Sequence, residues 1–249
     1  MNANFFAAVE AANRDRGDKA CLETDKGTVY RFTDVFREAG RFARWLSDLG
    51  LLRGDRVAVQ VDKSPAALFL YLGCLRAGLV YLPLNTAYQR AEIGYFLEDA
   101  EPALIVCRPP AREMVSELAA GRAEVFTLDG QGAGSLAEAV AKSEPEFATV
   151  QSAPDDLAVI IYTSGTTGRS KGAMVTHRNL LTNARALIDA WQFSERDVLL
   201  HALPVFHVHG LFVANHCALL SGARMLWQPK FDPAAVLRAL PRASVMMGV

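Results

Sequence analysis

Apolar residues recur along the chain with two alternating spacings. Residues 33–49 carry an apolar stripe with a period of 3.6 residues, which predicts an amphipathic helix. Residues 56–61 follow a glycine-containing turn as a mostly apolar run, which predicts a strand. Ser64-Pro65 combines a helix-capping side chain with proline at the first helical position, so a second helix is expected from there to Gly78.

The alternation continues to the end of the chain. Further helices are predicted over residues 92–99, 112–120, 176–191 and 210–220, and further strands over residues 79–82, 103–107, 123–128, 157–162, 198–202, 223–227 and 244–247. Ser135 and Glu138 predict a capping box at the start of one short helix, and Asp232-Pro233 predicts the start of another. Apolar strands that alternate with amphipathic helices predict a layered α/β fold with largely parallel sheets. The polar stretch 151–156 predicts a boundary between a first α/β lobe, residues 1–155, and a second, residues 156–249.

Composition excludes several classes of protein. The chain has 249 residues, of which 51% are hydrophobic and 21% charged, so a disordered or fibrous chain is excluded. A net charge of −1 argues against a nucleic-acid partner. No cysteine belongs to a C-x-x-C pair and no signal peptide is evident, so we expect reduced thiols in a cytoplasmic protein. Residues 66–84 are the most membrane-like, but they contain Arg76 and Pro83, and they predict a buried helix and strand rather than a membrane span.

The densest chemical signal lies in residues 160–173. An apolar strand runs into a stretch of threonine, serine and glycine that is followed by two basic side chains. Glycine allows close approach of the backbone, so that successive N–H groups can converge on an anion, and a lysine adds a mobile positive charge that suits a polyphosphate. The predicted phosphate-binding residues are Thr163, Ser164, Gly165, Thr166, Thr167, Gly168 and Lys171.

Other interpretations of this stretch fit less well. In a Walker A loop the second glycine would fall at Ser170, and the spacing of a dinucleotide fingerprint is also missing. The nucleophile elbow of a hydrolase is not met around Ser164. A surface loop with an incidental lysine remains an alternative, but neutral loops rarely place hydroxyls, glycines and a lysine so densely after a buried strand.

Three segments carry a specific resemblance. Residues 162–172, Tyr-Thr-Ser-Gly-Thr-Thr-Gly-Arg-Ser-Lys-Gly, resemble the phosphate-loop signature of the acyl-adenylate-forming superfamily, in which proline usually stands where this chain has Ser170. Residues 81–88, Tyr-Leu-Pro-Leu-Asn-Thr-Ala-Tyr, resemble the segment ahead of its acyl pocket, and residues 203–210, Leu-Pro-Val-Phe-His-Val-His-Gly, resemble its aromatic-histidine motif. Together with the Pro-Lys-Phe-Asp-Pro segment at 229–233, the combination is most similar to malonyl-CoA synthetases.

The resemblance implies a carboxylate–CoA ligase with ATP, Mg²⁺ and coenzyme A as its small-molecule partners. The carboxylate would attack the α-phosphorus of ATP to form an acyl-adenylate, and the thiol of coenzyme A would then displace AMP. Thr163 could contact the magnesium of Mg-ATP. His207 occupies the family's pocket position, and with the positive end of a helix starting near Gly210 it could hold one carboxylate of a dicarboxylate substrate.

Four histidines within sixteen residues also raise the possibility of a metal site. His207 and His209 could face one ion, but neither a carboxylate nor a cysteine joins them at ligand spacing. His201 and His216 are most simply interpreted as core or helix-surface histidines. We therefore assign no metal ligand beyond the possible contact of Thr163.

The resemblance also implies parts that this chain lacks. The Tyr-Gly-x-Thr-Glu segment, the ribose-binding aspartate, the hinge and the C-terminal lid with its lysine come later in the family than position 249. We therefore expect the chain to be the N-terminal portion of a longer enzyme, and by itself to turn over little or no ATP. The alternative is a non-catalytic nucleotide-binding module, and the oligomeric state is left open.

Overall fold

Two β-sheets organise the computed structural model, which describes residues 2–163 and 170–248. The strands in these residues are β1 (Ala20–Thr24), β2 (Val29–Arg31), β3 (Arg56–Gln60), β4 (Val80–Pro83), β5 (Leu104–Cys107), β6 (Glu124–Thr127), β7 (Leu157–Thr163), β8 (Lys171–Thr176), β9 (Val198–His201), β10 (Arg224–Trp227) and β11 (Val245–Met246). The α-helices are α1 (Phe5–Ala12), α2 (Phe32–Asp48), α3 (Pro65–Ala77), α4 (Arg90–Ala100), α5 (Arg112–Ala119), α6 (Ser135–Val140), α7 (His177–Trp191), α8 (Asn215–Ser221) and α9 (Pro233–Ala239).

Both sheets are parallel except at one edge. The six-stranded sheet has the order β6-β5-β3-β4-β7-β8, and only β8 runs antiparallel to its neighbour. The five-stranded sheet has the order β11-β9-β10-β1-β2, and only β2 is antiparallel. The layered α/β class with largely parallel sheets is therefore confirmed.

Helices cover both faces of each sheet, which explains why the central strands are mainly apolar on both faces. In β3, Val57 and Val59 belong to the main core with α2 and α3, whereas Ala58 belongs to a second core with α4 and α5. In β9, Leu199 belongs to the main core and Leu200 packs with α9. Successive side chains of a strand point to opposite faces, so a strand that is covered on both faces is mainly apolar on both.

Helix α3 connects β3 to β4 and is buried over most of its surface. Ser64 caps it by accepting from the Ala67 amide, and Gly78 ends it in the left-handed conformation at φ 74°. Ten of its thirteen residues are buried, which accounts for the membrane-like composition of this part of the chain. In residues 2–163 and 170–248, no helix is long and apolar enough to cross a bilayer.

Several elements differ from the sequence prediction. Helix α1, strands β1 and β2, and strand β8 were not predicted, and helix 210–220 begins as a π-helix, His209–Ala214, that runs into α8. The capping box at Ser135 is wrong, because Gly134 is the N-cap and the Ser135 hydroxyl instead accepts from the Thr127 amide at 3.0 Å. A Cβ at position 134 would lie 2.4 Å from the Thr127 carbonyl oxygen, so the strand's close approach demands glycine there.

The predicted lobe boundary at position 155 does not separate the strands of one sheet from those of the other. Strands β7 and β8, which follow that position, complete the six-stranded sheet, while β1 and β2, which precede it, complete the five-stranded sheet. Each sheet therefore combines strands from both proposed lobes. The boundary between residues 1–155 and 156–249 stays a prediction about how the chain is organised, and it is not a division between the sheets.

Candidate functional site

The predicted phosphate loop joins two antiparallel strands. Strands β7 and β8 pair so that Thr163 lies opposite Lys171 and Tyr162 opposite Gly172. Both Thr163 and Lys171 are exposed, at the end of the hairpin where the loop joins the two strands. The structure thus brings together a hydroxyl and an ammonium group that the sequence separates by eight positions. The other predicted phosphate-binding residues, Ser164, Gly165, Thr166, Thr167 and Gly168, lie outside the described residues.

Helix α4 holds both strands of this hairpin. The Tyr95 hydroxyl donates to the Ser170 carbonyl oxygen at 2.8 Å, just before β8. The Tyr162 hydroxyl, near the end of β7, donates to Asp99 at 2.5 Å. Burial and the Asp99 carboxylate raise the pKa of Tyr162, so its hydroxyl stays protonated and keeps donating. One helix therefore sets where the loop leaves and re-enters the sheet.

His207 lies in the turn that follows β9. This turn, residues 202–208, leads from the carboxyl end of β9 into the π-helix. His207 is exposed, and its carbonyl oxygen accepts from the Leu211 amide at 2.9 Å. Together the π-helix and α8 form a continuous helical segment over residues 209–221, and its amino end lies beside His207. Within the described residues, no hydrogen bond or ion pair connects His207 with Thr163 or Lys171.

The remaining histidines of this region do not gather at one point. His216 is buried in α8 and shares a hydrogen bond of 2.8 Å with the Tyr71 hydroxyl. His209 is half-buried as the first residue of the π-helix, and His201 is 1% exposed at the end of β9. Of the two interpretations given for His201 and His216, core or helix-surface histidines, burial supports the core for both.

Lys63 is a buried basic residue that sequence reasoning missed. It follows β3 and is only 6% exposed. Its Nζ atom lies 2.8 Å from the His201 Nδ1 atom, 2.8 Å from the His201 carbonyl oxygen and 4.4 Å from the centroid of the Trp227 ring. Burial lowers the pKa of Lys63 well below its usual range. The signal in the sequence was its place just beyond a parallel strand, at the sheet edge where ligands of α/β proteins gather.

The hydrogen bonds of His201 define its tautomer. Its Nε2 atom lies 2.9 Å from the Gly210 carbonyl oxygen, which can only accept, so Nε2 carries the proton. The Nδ1 atom is then free to accept from Lys63. Burial and the neighbouring Lys63 amine lower the pKa of His201 well below its usual range, so the imidazole is neutral.

A cavity of about 430 Å³ opens beside this group. It is lined by Asp62 and Lys63 after β3, by residues 204–206 of the turn that carries His207, and by residues 229–231 after β10. Cavities of this size lie in the range of small-molecule sites. The turn after β9 therefore has the cavity on one side and the buried Lys63–His201 pair beneath it.

The prediction for a metal ion concerns Thr163 alone. Across the described ranges, no three His, Cys, Asp or Glu side chains form a group that could hold a metal ion. Thr163 offers a hydroxyl oxygen at the end of β7, the kind of ligand that magnesium accepts alongside phosphate oxygens. Its contact with magnesium stays a prediction.

Known proteins resemble this chain along nearly its whole length. The family model of the AMP-binding enzymes matches residues 9–249. The chain is 35% identical over 225 residues to feruloyl-CoA synthase from Amycolatopsis sp, covering 90% of this chain and 44% of that protein. It is 31% identical over 208 residues to malonate–CoA ligase from Arabidopsis thaliana, covering 82% of this chain and 34% of that protein. The chain thus spans less than half the length of these two relatives.

Among solved structures, ATP-bound MatB from Rhodopseudomonas palustris superimposes with a TM-score of 0.96 at 49% identity. That likeness covers all of this chain and 49% of MatB. The fold is that of the N-terminal part of acyl-adenylate-forming enzymes, as the motifs at 81–88, 162–172 and 203–210 predict. The chain belongs to the family of AMP-binding enzymes.

Proposed function

We propose that the full-length protein is an ATP-dependent carboxylate–CoA ligase and that its acyl substrate is malonate or methylmalonate. The hairpin that places Thr163 opposite Lys171 is the observation that carries the ligase activity. The likeness to MatB, which was solved with ATP bound, supports the use of ATP. The CoA ligases among the relatives support coenzyme A as the second substrate.

In the first half-reaction a carboxylate oxygen attacks the α-phosphorus of ATP. The bond from that phosphorus to the bridging oxygen breaks, and pyrophosphate leaves. Lys171, the Thr163 hydroxyl and the loop 164–168 would hold the β- and γ-phosphates, so that charge on the leaving group is neutralised. The Thr163 hydroxyl would help to hold magnesium, which would supply further positive charge at the phosphates.

In the second half-reaction the thiol of coenzyme A, having lost its proton, attacks the acyl carbon. The bond from that carbon to the phosphate oxygen breaks, and AMP leaves. Adenylation is needed because a free carboxylate would have to expel an oxide, whereas the adenylate expels a phosphate. The protein's contribution to both steps is mainly positioning and charge stabilisation.

His207 is the residue to which we assign the distal carboxylate of the substrate. It is exposed in the turn after β9 and lies at the amino end of the helical segment 209–221, where backbone N–H groups and the helix dipole favour an anion. A feruloyl group has no second carboxylate, so this interaction would favour malonate over the substrate that names the Amycolatopsis relative. A resemblance to the Arabidopsis malonate–CoA ligase supports the same assignment.

The test is a substrate panel with the full-length enzyme and with His207→Ala. AMP formation should require both ATP and coenzyme A, and malonate or methylmalonate should give a higher kcat/KM than acetate or ferulate. Loss of a hydrogen bond to a charged group costs about 1.5–3 kcal/mol, so His207→Ala should raise the KM for malonate by roughly 10- to 150-fold. The KM for ATP should change little.

His209→Ala is the matched control, because His209 lies two residues further on at the start of the π-helix. It should leave the KM for malonate within about threefold of the wild-type value. An unchanged KM in His207→Ala, or a preference for ferulate, would reject the malonate assignment. ATP binding without any CoA ligation would reject the ligase and favour a nucleotide-binding module.

A further inference from the structure

We infer that Lys63 and His201 form a buried strut that positions the turn carrying His207, and so acts on carboxylate binding without contacting the substrate. This inference rests on the proposed function for its effect on substrate. The claim that Lys63 and His201 position the turn depends only on contacts within the protein.

The strut connects the two sheets. Lys63 follows β3 of the six-stranded sheet, and His201 ends β9 of the five-stranded sheet. The Lys63 amine reaches both the imidazole and the carbonyl oxygen of His201, each at 2.8 Å. One side chain from the first sheet therefore holds the backbone of the second at the point where the turn begins.

The imidazole of His201 then holds the other end of the same turn. Its Nε2–H donates to the Gly210 carbonyl oxygen at 2.9 Å, so one side chain joins the residue before the turn to the second residue of the π-helix that follows it. The turn is folded tightly on itself, because a Cβ on Gly210 would lie 2.0 Å from the Pro204 carbonyl oxygen. His207 lies in this turn, two residues before the π-helix, and its carbonyl oxygen accepts from the Leu211 amide.

Because the strut is buried, the loss of any of its hydrogen bonds should be costly in free energy. Lys63 and His201 are 6% and 1% exposed, so water cannot replace a lost partner at low cost. Burying a basic side chain costs free energy of desolvation. An apolar residue could fill the same space without that cost. The presence of Lys63 beneath the turn is explained if the turn needs one defined shape.

The experiment compares the full-length enzyme with Lys63→Met and with two variants of His201. Lys63→Met keeps an unbranched side chain that is one heavy atom shorter and removes the amine. His201→Gln can still donate to the Gly210 carbonyl oxygen through its terminal amide, whereas His201→Leu cannot. His177→Gln is the control, because His177 is also a buried histidine that accepts a hydrogen bond, here from the Phe5 amide, but it lies in α7.

We expect Lys63→Met and His201→Leu to raise the KM for the carboxylate at least tenfold while the KM for ATP stays within twofold. His201→Gln should recover most of the carboxylate affinity. His177→Gln should lower the melting temperature without changing either KM. If the strut is merely structural, Lys63→Met and His201→Leu should also lower the melting temperature but leave the KM for the carboxylate unchanged.

Hydrogen exchange at the Leu211 amide gives a readout that needs no substrate. This amide donates to the His207 carbonyl oxygen, so its exchange should accelerate at least tenfold in Lys63→Met, while amides of β7 keep their wild-type rates. If the wild-type enzyme ligates no carboxylate, the proposed function fails, and accelerated exchange would still support the strut. Unchanged exchange, or an unchanged carboxylate KM in an active enzyme, would overturn the inference, and His201→Leu provides the same comparison if Lys63→Met does not fold.

Discussion

His177 shows how one buried side chain couples folding to protons. It is the first residue of α7 and is 1% exposed. Its Nδ1 atom accepts from the Phe5 amide at 3.1 Å, so the folded state needs an unprotonated Nδ1. Burial lowers the pKa of His177 to about 4, with smaller effects of Asp156, which raises it, and Arg53, which lowers it.

The folded protein should therefore lose stability in mild acid. The unfolded chain binds a proton at His177 near the ordinary value of 6.5, but the folded protein does so only near 4, so stability is fully present above pH 6.5 and falls as the pH falls between these values. This histidine alone should reduce the free energy of unfolding by roughly 1.4 kcal/mol per pH unit in that window, or about 3 kcal/mol at pH 4.

Urea unfolding between pH 4.5 and 7.5 measures this dependence. His216, whose pKa burial lowers to about 3, contributes with the same sign, so His177→Gln should remove part of the slope and leave the rest. His209→Gln, at the start of the π-helix, is the control. A slope that is the same in wild type and in His177→Gln would contradict the assignment.

At the scale of elements, the packing of α3 on α2 depends on a glycine. Gly73 lies in the middle of α3, and a Cβ there would be 2.6 Å from the Phe42 Cβ atom and 3.1 Å from the Ala39 carbonyl oxygen, both in α2. Such distances leave no room for a methyl group. Gly94, in α4, is different, because a Cβ there would lie 3.4 Å from its nearest neighbour, a methyl carbon of Leu118.

The two glycines should respond oppositely to the same substitution. Gly73→Ala should lower the free energy of unfolding by about 1–3 kcal/mol, since the helices must separate or shift. Gly94→Ala should raise it by up to about 1 kcal/mol, because alanine loses less backbone entropy than glycine in a helix. Chemical denaturation of the two variants measures the difference, and destabilisation of equal size in both would show that the close contact of α2 and α3 is not the cause.

At the scale of the whole molecule, the N-terminal residues tie distant parts of the chain together. Asn4 is fully buried, and its Nδ2 atom donates to the Leu75 carbonyl oxygen at 2.7 Å and to the Ser152 hydroxyl at 3.2 Å. Its Oδ1 atom accepts from the Phe6 amide and caps α1. Residue 4 thus joins α1, the end of α3 and the polar stretch 151–156.

Asn4→Ser and Asn4→Ala separate these long-range bonds from the helix cap. Serine can still cap α1 but loses both bonds of the amide nitrogen, so we expect a loss of about 2 kcal/mol in the free energy of unfolding. Alanine should lose about 1 kcal/mol more, with the cap. Asn179→Ala is the control, because it removes an exposed side chain that accepts from the Thr176 amide at the start of α7. If Asn4→Ser matches the wild type, the long-range bonds do not stabilise the fold.

The local pattern of the chain was sufficient to predict most elements that pack through an apolar face. The elements at residues 33–49 and 56–61 are predictable because the apolar pattern of a helix or a strand depends only on residues close together in sequence. The same holds for the cap at Ser64 and the stop at Gly78, which depend on local backbone geometry. The phosphate-loop motif was visible for a related reason, since anion binding by a loop needs glycines and hydroxyls close together in sequence.

Tertiary structure alone decided how these elements meet. Strand β8 depends on its partner β7, because residues 171–174 are exposed and carry no apolar face that would predict a strand. The pairing of β1 with β10, and the contact of Lys63 with His201 across 138 positions, are likewise invisible to local pattern. Hydrogen bonds between distant residues leave no periodic signal, since each partner satisfies the other only after the chain has folded. The sequence by itself therefore determined the family motif and most elements, whereas the folded chain decided which buried groups support the turn around His207.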